Sequence, residues 1–180
     1  MTTNPIYELV GQWPLDLFLD YILKIHHRGI RTEGPAVVQL FRAALAESPA
    51  DEQLAQAFQL FQDSLADLEM HLMKEENVLF PFLLELFEAE QQAQPIEQMH
   101  CGSVANPIHV MHMEHDGEIQ RYARIAELTN DFAVASDASA ARAALMPRLK
   151  AFMEALHEHI ALENDHLFVR AVQLEQAWVR

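Results

Sequence analysis

Cysteine is almost absent from this chain: among 180 residues there is one, Cys101. That excludes an internal disulfide framework and fits a reducing compartment. Glycine and proline are scarce as well, at five and eight residues. Ala, Leu, Glu and Gln are plentiful instead, a balance that suits helix and gives strands little support. Basic residues number 12 against 27 acidic ones, for a formal net charge of -15. Nucleic acid is therefore not an expected partner, because its phosphates need a Lys/Arg surface to displace their counterions. No apolar run approaches the roughly 18 residues of a membrane span; the longest, residues 78–86, is interrupted by Pro81 and Glu85. Residues 1–14 contain no basic residue followed by an apolar core, so no secretory leader is expected. The expectation is a cytoplasmic, all-α protein with no membrane contact and a single domain over residues 1–180.

What the chain does have is helical periodicity in four stretches. Pro14 stands like a first-turn proline, with Leu15, Phe18, Ile22 and His26 following at helical spacing. Gly29 and the Gly34-Pro35 pair are expected to weaken or kink that helix. Asp51 is a plausible cap for the second helix, whose seam reads Leu54, Phe58, Phe61, Leu65, Leu68, Leu72, Glu75, Leu79, Phe82 and Leu86. A third seam runs through Ile108, Met111, His115, Ile119 and Tyr122. The fourth runs through Leu145, Leu149, Phe152, Leu156, His159, Glu163 and His166, with a possible kink at Pro147. The helices are expected at roughly 14–46, 51–90, 107–130 and 139–175.

Two of these seams turn polar in the same way. His71-Leu-Met-Lys-Glu75 and His159-Ile-Ala-Leu-Glu163 are each followed, three residues later, by Leu-Phe. Residues four apart lie on one helix face, so each copy aims an imidazole and a carboxylate together. His26 precedes His71 by 45 residues and His115 precedes His159 by 44. Two helical hairpins of one plan packed together make an antiparallel four-helix bundle with a pseudo-twofold axis.

Six residues then converge on the core: His26, His71, Glu75, His115, His159 and Glu163. Two carboxylates facing one core need a cation, since an isolated buried carboxylate costs on the order of several kcal/mol. Four imidazoles and two carboxylates suit a pair of metal ions, iron first, with manganese or zinc as substitutes. With both glutamates bridging and two histidines per metal, an oxo or hydroxo bridge leaves one position open on each. A lone His-x-x-x-Glu is usually a surface pair worth a few tenths of a kcal/mol. Two copies on apolar seams, with two further seam histidines, reverse that reading.

The remaining polar residues carry weaker signals. His27 falls about 100° off the seam and reads as solvated or behind the site. His100 beside Cys101 reads as inert, His157 points away from His159, and of His109 and His112 the latter is nearer the site. His166 reads either as a partner behind a ligand or as a core histidine. Asp67 could receive an imidazole N–H, line an access path or stand in water; Glu76, Glu114 and Glu118 read as solvated or behind the ligands.

At His71-Leu-Met-Lys-Glu75-Glu-Asn-Val-Leu-Phe-Pro81, Met113-Glu-His115-Asp116 and His159-Ile-Ala-Leu-Glu163-Asn, the sequence resembles the hemerythrin-like, HHE cation-binding family. Within it the likeness is to the iron-sulfur cluster repair di-iron proteins, over roughly residues 15–175. The resemblance implies a non-haem di-iron centre held by the same six residues, a small diatomic or peroxide ligand, and iron-sulfur proteins as partners. It implies a role in nitrosative or oxidative stress, by cluster repair or iron supply. Met111 stands where oxygen-carrying hemerythrins have a further histidine, and the interval from His159 to Glu163 is shorter than theirs, which points away from reversible oxygen carriage. The alternative of another class is an oxygen, nitric oxide or iron sensing module without turnover, and a purely structural bundle would hold no metal.

Overall fold

The periodic stretches fold into an antiparallel four-helix bundle in the computed structural model, which describes residues 7, 9–100 and 102–180. Cys101 and the first six residues, on which the expectations of an inert thiol and of no leader partly rest, lie outside the described residues. Helix α1 covers residues 15–47 in three continuous pieces: α-helical Leu15–Tyr21, a π-helical stretch Ile22–His27, and α-helical Arg28–Glu47. Helix α2 covers 52–92 as Glu52–Lys74, π-helical Glu75–Leu79 and Phe80–Gln92. Helix α3 is regular over Ala105–Leu128. Helix α4 covers 140–178 as Ala140–Leu162, π-helical Glu163–Leu167 and Phe168–Trp178.

The helix ends follow from local chemistry. Asp51 Oδ1 accepts from the Leu54 N–H at 2.9 Å and Ser139 Oγ from the Arg142 N–H at 3.3 Å; such caps contribute about 1 kcal/mol each. Ala93 adopts the left-handed conformation that stops α2. Beyond it, the Ile96 N–H donates to the Trp178 carbonyl at 2.9 Å, tying the α2–α3 connection to the end of α4.

The sequence places kinks at Gly34-Pro35 and Pro147, but helix runs unbroken through both. Gly34 instead permits close packing of α1 on α2, since a Cβ there would lie 2.7 Å from Leu65 Cδ2. The irregularities fall at the three π stretches. A π turn holds one extra residue, so buried positions three and four apart are interrupted by a step of five. The steps run from Ile22 to His27, Glu75 to Phe80 and Glu163 to Phe168. In α2 the buried line passes through Ala57 and Ser64 rather than Phe58 and Leu65, and in α3 through Glu118 rather than Ile119.

Two apolar clusters fill the bundle, one at each end. Phe18, Ile22, Leu83, Met111 and Phe168 belong to the first. Phe41, Phe61, Leu72, Tyr122 and Phe152 belong to the second. Each fully buried Phe or Leu stabilises the fold by roughly 1.5–3 kcal/mol. Between the clusters, in every helix, lies a layer of buried polar residues: His26, His27, His71, Glu75, His115, His159 and Glu163.

Candidate metal centre

The polar layer brings six side chains to one place: His27 from α1, His71 and Glu75 from α2, His115 from α3, and His159 and Glu163 from α4. Ligand-type atoms of His71, His115, His159 and Glu163 lie within 4.8 Å of one another, and so do those of His27, Glu75, His159 and Glu163. Glu75 turns one oxygen to each of two histidines, Oε2 to His27 Nε2 at 3.4 Å and Oε1 to His71 Nε2 at 3.4 Å. Glu163 does likewise, with Oε1 3.9 Å from His27 Nε2 and Oε2 at 3.3 and 3.4 Å from the Nε2 atoms of His115 and His159. Both carboxylates therefore span two groups of imidazoles.

Acceptors outside the cluster fix most of the rings. His27 Nδ1 is 2.8 Å from Glu76 Oε1, His71 Nδ1 is 2.8 Å from Glu114 Oε2, and His115 Nδ1 is 2.9 Å from Asn164 Oδ1. An acceptor on Nδ1 holds the proton there and leaves the Nε2 lone pair facing inward. Glu76 is held in turn by Arg31 at 2.6 Å, and Glu114 by Lys74. The rings are also clamped by aromatic faces placed alike: Phe80 stacks on His27 at 5.6 Å and Phe168 on His115 at 5.9 Å. Those phenylalanines are the residues reached by the five-residue steps after Glu75 and Glu163.

The interior donors fit a cation. All four carboxylate oxygens of Glu75 and Glu163 lack a hydrogen-bond partner, as do Nε2 of His27 and Nε2 of His159. Buried polar atoms are otherwise satisfied in folded proteins, and leaving ionised oxygens bare costs on the order of several kcal/mol. Protons are the only compensation the side chains can supply. Burial pushes the His27 imidazole down, but Glu163 and Glu75 outweigh it and raise its pKa to about 10. Burial likewise opposes His71, which Glu75 and Glu163 lift to about 9. Burial holds His159 well below its usual range. Burial works against ionised Glu163, yet the surrounding imidazoles keep it well below the usual carboxylate range. A metal cation would replace the protons on these rings.

His26, which the seam selects, does not reach this group; His27, one residue on, takes the position. The π stretch at Ile22–His27 inserts the extra residue that turns the next side chain inward. A signal for it exists in the sequence, since His27 precedes His71 by 44 residues, the interval that separates His115 from His159. Glu76 and Glu114 prove to be the acceptors behind His27 and His71. Asp67 is exposed and bonded to Arg121 at 2.6 Å. Glu118 is buried, accepting from Ser64 Oγ at 2.6 Å and paired with Arg121 at 2.6 Å. His112 packs edge-on to Phe168, His157 to Tyr122, and His166 to Tyr7. None of these three belongs to the candidate donor groups found among the described residues.

Two cavities approach the layer from opposite sides. One, of about 230 Å³, lies between α2 and α3 and is lined by His71, His115, Glu114, Glu118 and Gly117. The other, of about 310 Å³, lies between α1 and α4 and is lined by Tyr21, His26, Gly29, Ala155 and Glu158. Among the described residues no helix is long and apolar enough to cross a membrane.

Residues 19–171 match the family described as the hemerythrin HHE cation binding domain. The chain is 33% identical over 172 residues to the iron-sulfur cluster repair protein DnrN of Neisseria gonorrhoeae, covering 96% of this chain and 99% of that one. It is 32% identical over 166 residues to the iron-sulfur cluster repair protein YtfE of Musicola paradisiaca, covering 90% of this chain and 68% of the relative. With the protein of the same name from Dickeya chrysanthemi it shares 38% identity over 110 residues, 61% of this chain and 43% of that protein.

Proposed function

The chain belongs to the hemerythrin HHE cation binding domain family, and from that footing we propose that it is a non-haem di-iron protein serving the repair of damaged iron-sulfur clusters under nitrosative or oxidative stress. The observation that carries the reading is the pair of buried carboxylates, each with its two oxygens turned to different imidazoles and none hydrogen-bonded. Such a carboxylate is a bridging ligand in waiting. His27, His71, His115 and His159 would supply the nitrogen donors, and Glu75 and Glu163 the bridges. Manganese or zinc would be accepted by the same donors. When bound, the pair would supply one-electron redox chemistry and Lewis-acid binding of a diatomic or peroxide.

The side chains define what reaches the layer. The apolar clusters on either side keep bulk water from the layer. The cavity between α2 and α3 is of a size for a diatomic or peroxide, while a cluster-bearing protein must stay at its mouth, among Lys74, Glu114, Asp67 and Arg121. Glu76, Glu114 and Asn164 hold the Nδ1 protons of three rings, so that only Nε2 is offered to a metal. Its partners are iron-sulfur proteins, met in the cytoplasm. The names of the relatives support the repair role.

The test is recovery of an iron-sulfur dehydratase inactivated by nitric oxide. Iron-loaded protein should restore its activity faster than the same amount of free ferrous iron, and the Glu75→Ala variant should not. Recovery no better than with free iron would reject repair. Tight binding of nitric oxide with no recovery would favour sensing instead.

A further inference from the structure

His159 differs from the other three imidazoles of the cluster. Their Nδ1 atoms meet Glu76, Glu114 and Asn164, whereas Nδ1 of His159 is buried and has no hydrogen-bond partner. A fully buried imidazole N–H without an acceptor is costly, and ligand histidines ordinarily have one. Of the two α1 rings beside it, His27 at 5.3 Å has both nitrogens committed to the metal layer and Glu76, while His26 has its centroid 5.7 Å from that of His159 with the planes tilted by 30°. His26 is 7% exposed and its Nε2 is buried and unpartnered too. The backbone of Ala155, one turn before His159 on α4, lies beside the same imidazole and favours its proton; with Nε2 unpartnered, that proton is placed on Nδ1. A neutral imidazole that donates through Nδ1 carries its lone pair on Nε2. One buried donor without an acceptor and one buried acceptor without a donor thus stand on neighbouring rings.

We propose that His26 is the positioning residue for His159, accepting the Nδ1 proton of His159 at its own Nε2, directly or through one water. The pairing completes the set, so that each of the four rings offering Nε2 inward has a defined acceptor behind it. It also explains why two consecutive histidines of α1 are both buried. The π stretch that ends at His27 turns that ring into the metal layer and leaves His26 against the side of α4, where it walls the 310 Å³ cavity with Tyr21, Ala155 and Glu158. Tyr21 packs edge-on against His26 at 5.2 Å and keeps the ring in place. A water bridging the two nitrogens would have two polar partners in a roomy site, which is what an ordered buried water needs.

This inference rests on the metal reading, and its test separates the two. Metal-free protein is loaded with Co2+ alone, and the paramagnetically shifted, exchangeable imidazole N–H protons are recorded by NMR in water and in D2O. The wild-type chain should show one such proton for each of the four ligand histidines. His26→Leu should lose one of them to rapid exchange while the other three persist, and release of Co2+ to a chelator should quicken by about 10–100-fold. His26→Gln, which keeps an acceptor, should restore the fourth resonance and slow the release. An unchanged spectrum and release rate in His26→Leu would overturn the proposal. Loss of Co2+ by both variants alike would assign His26 to packing and overturn it too. A wild-type chain that takes up no Co2+ would instead overturn the metal reading itself.

Discussion

His71 Nε2 and His115 Nε2 face each other at 3.1 Å across the middle of the bundle. Their far nitrogens are engaged by Glu114 and Asn164, so two lone pairs point into one space unless something positive lies between them. In the metal-free chain that is a proton, held on His71 by the carboxylates of Glu75 and Glu163. A metal ion would do the same work with more bonds.

Removing either spanning carboxylate should remove most of the metal. Glu75→Ala deletes a donor that faces two imidazoles and Glu163→Ala one that faces three, so metal content measured by elemental analysis should fall to about one ion per chain or below. Helix content by circular dichroism should be retained. Full metal retention in both variants would reject the bridging role.

The two consecutive histidines of α1 should behave differently. His27→Ala removes an inward Nε2 and is expected to abolish binding of at least one ion. His26→Ala is expected to weaken binding without changing the number of ions bound. Stoichiometry from a chelator-competition titration distinguishes them, and equal loss in both would contradict the placement of α1.

Behind the ligands, Glu76→Ala and Glu114→Ala should each weaken metal affinity by about 10–100-fold, because each frees the Nδ1 proton of an imidazole. Asp67→Ala is the control: its carboxylate is exposed and bound to Arg121. Exposed pairs of that kind contribute roughly 0–1 kcal/mol, and metal affinity should not move.

The pH dependence has a definite sign. His27 and His71 are raised to about 10 and about 9 in the folded, metal-free chain, against about 6.5 when unfolded. Their protonation therefore stabilises the metal-free fold fully below about pH 6.5, and that stability is lost as pH rises through 9 and 10. Metal-free protein should melt at progressively lower temperature between pH 7 and 10. Metal uptake near pH 7.5 should release protons, measurable by calorimetry in buffers of different ionisation heat. No proton release would contradict the exchange of protons for metal.

Much of this is written in the sequence and one part is hidden by backbone geometry. His71 and His159 lie on regular α-helix, and Glu75 and Glu163, the first residues of the π stretches, still donate their N–H groups to the carbonyls four residues back, so i to i+4 spacing aims them correctly. Helix α3 has no irregularity at all, and His115 falls where the pattern places it. Helix α1 meets its π stretch before its histidine, so a step counted in α turns stops at His26, one residue short. The repeat interval of 44 residues is indifferent to helix type, which is why it points to His27. Proline was a poor guide to irregularity. Pro35 and Pro147 lie inside unbroken helix, while Pro81 sits in the first turn after Glu75–Leu79, where a missing N–H costs little.

The central claim is that the layer of four imidazoles and two carboxylates holds a pair of iron ions. Elemental analysis of protein purified without oxygen, with an optical spectrum before and after exposure to air, tests it most directly. About two irons per chain, with near-ultraviolet absorption from a bridged ferric pair appearing in air, is the predicted result. One metal or none, with no spectral change in air, would contradict it.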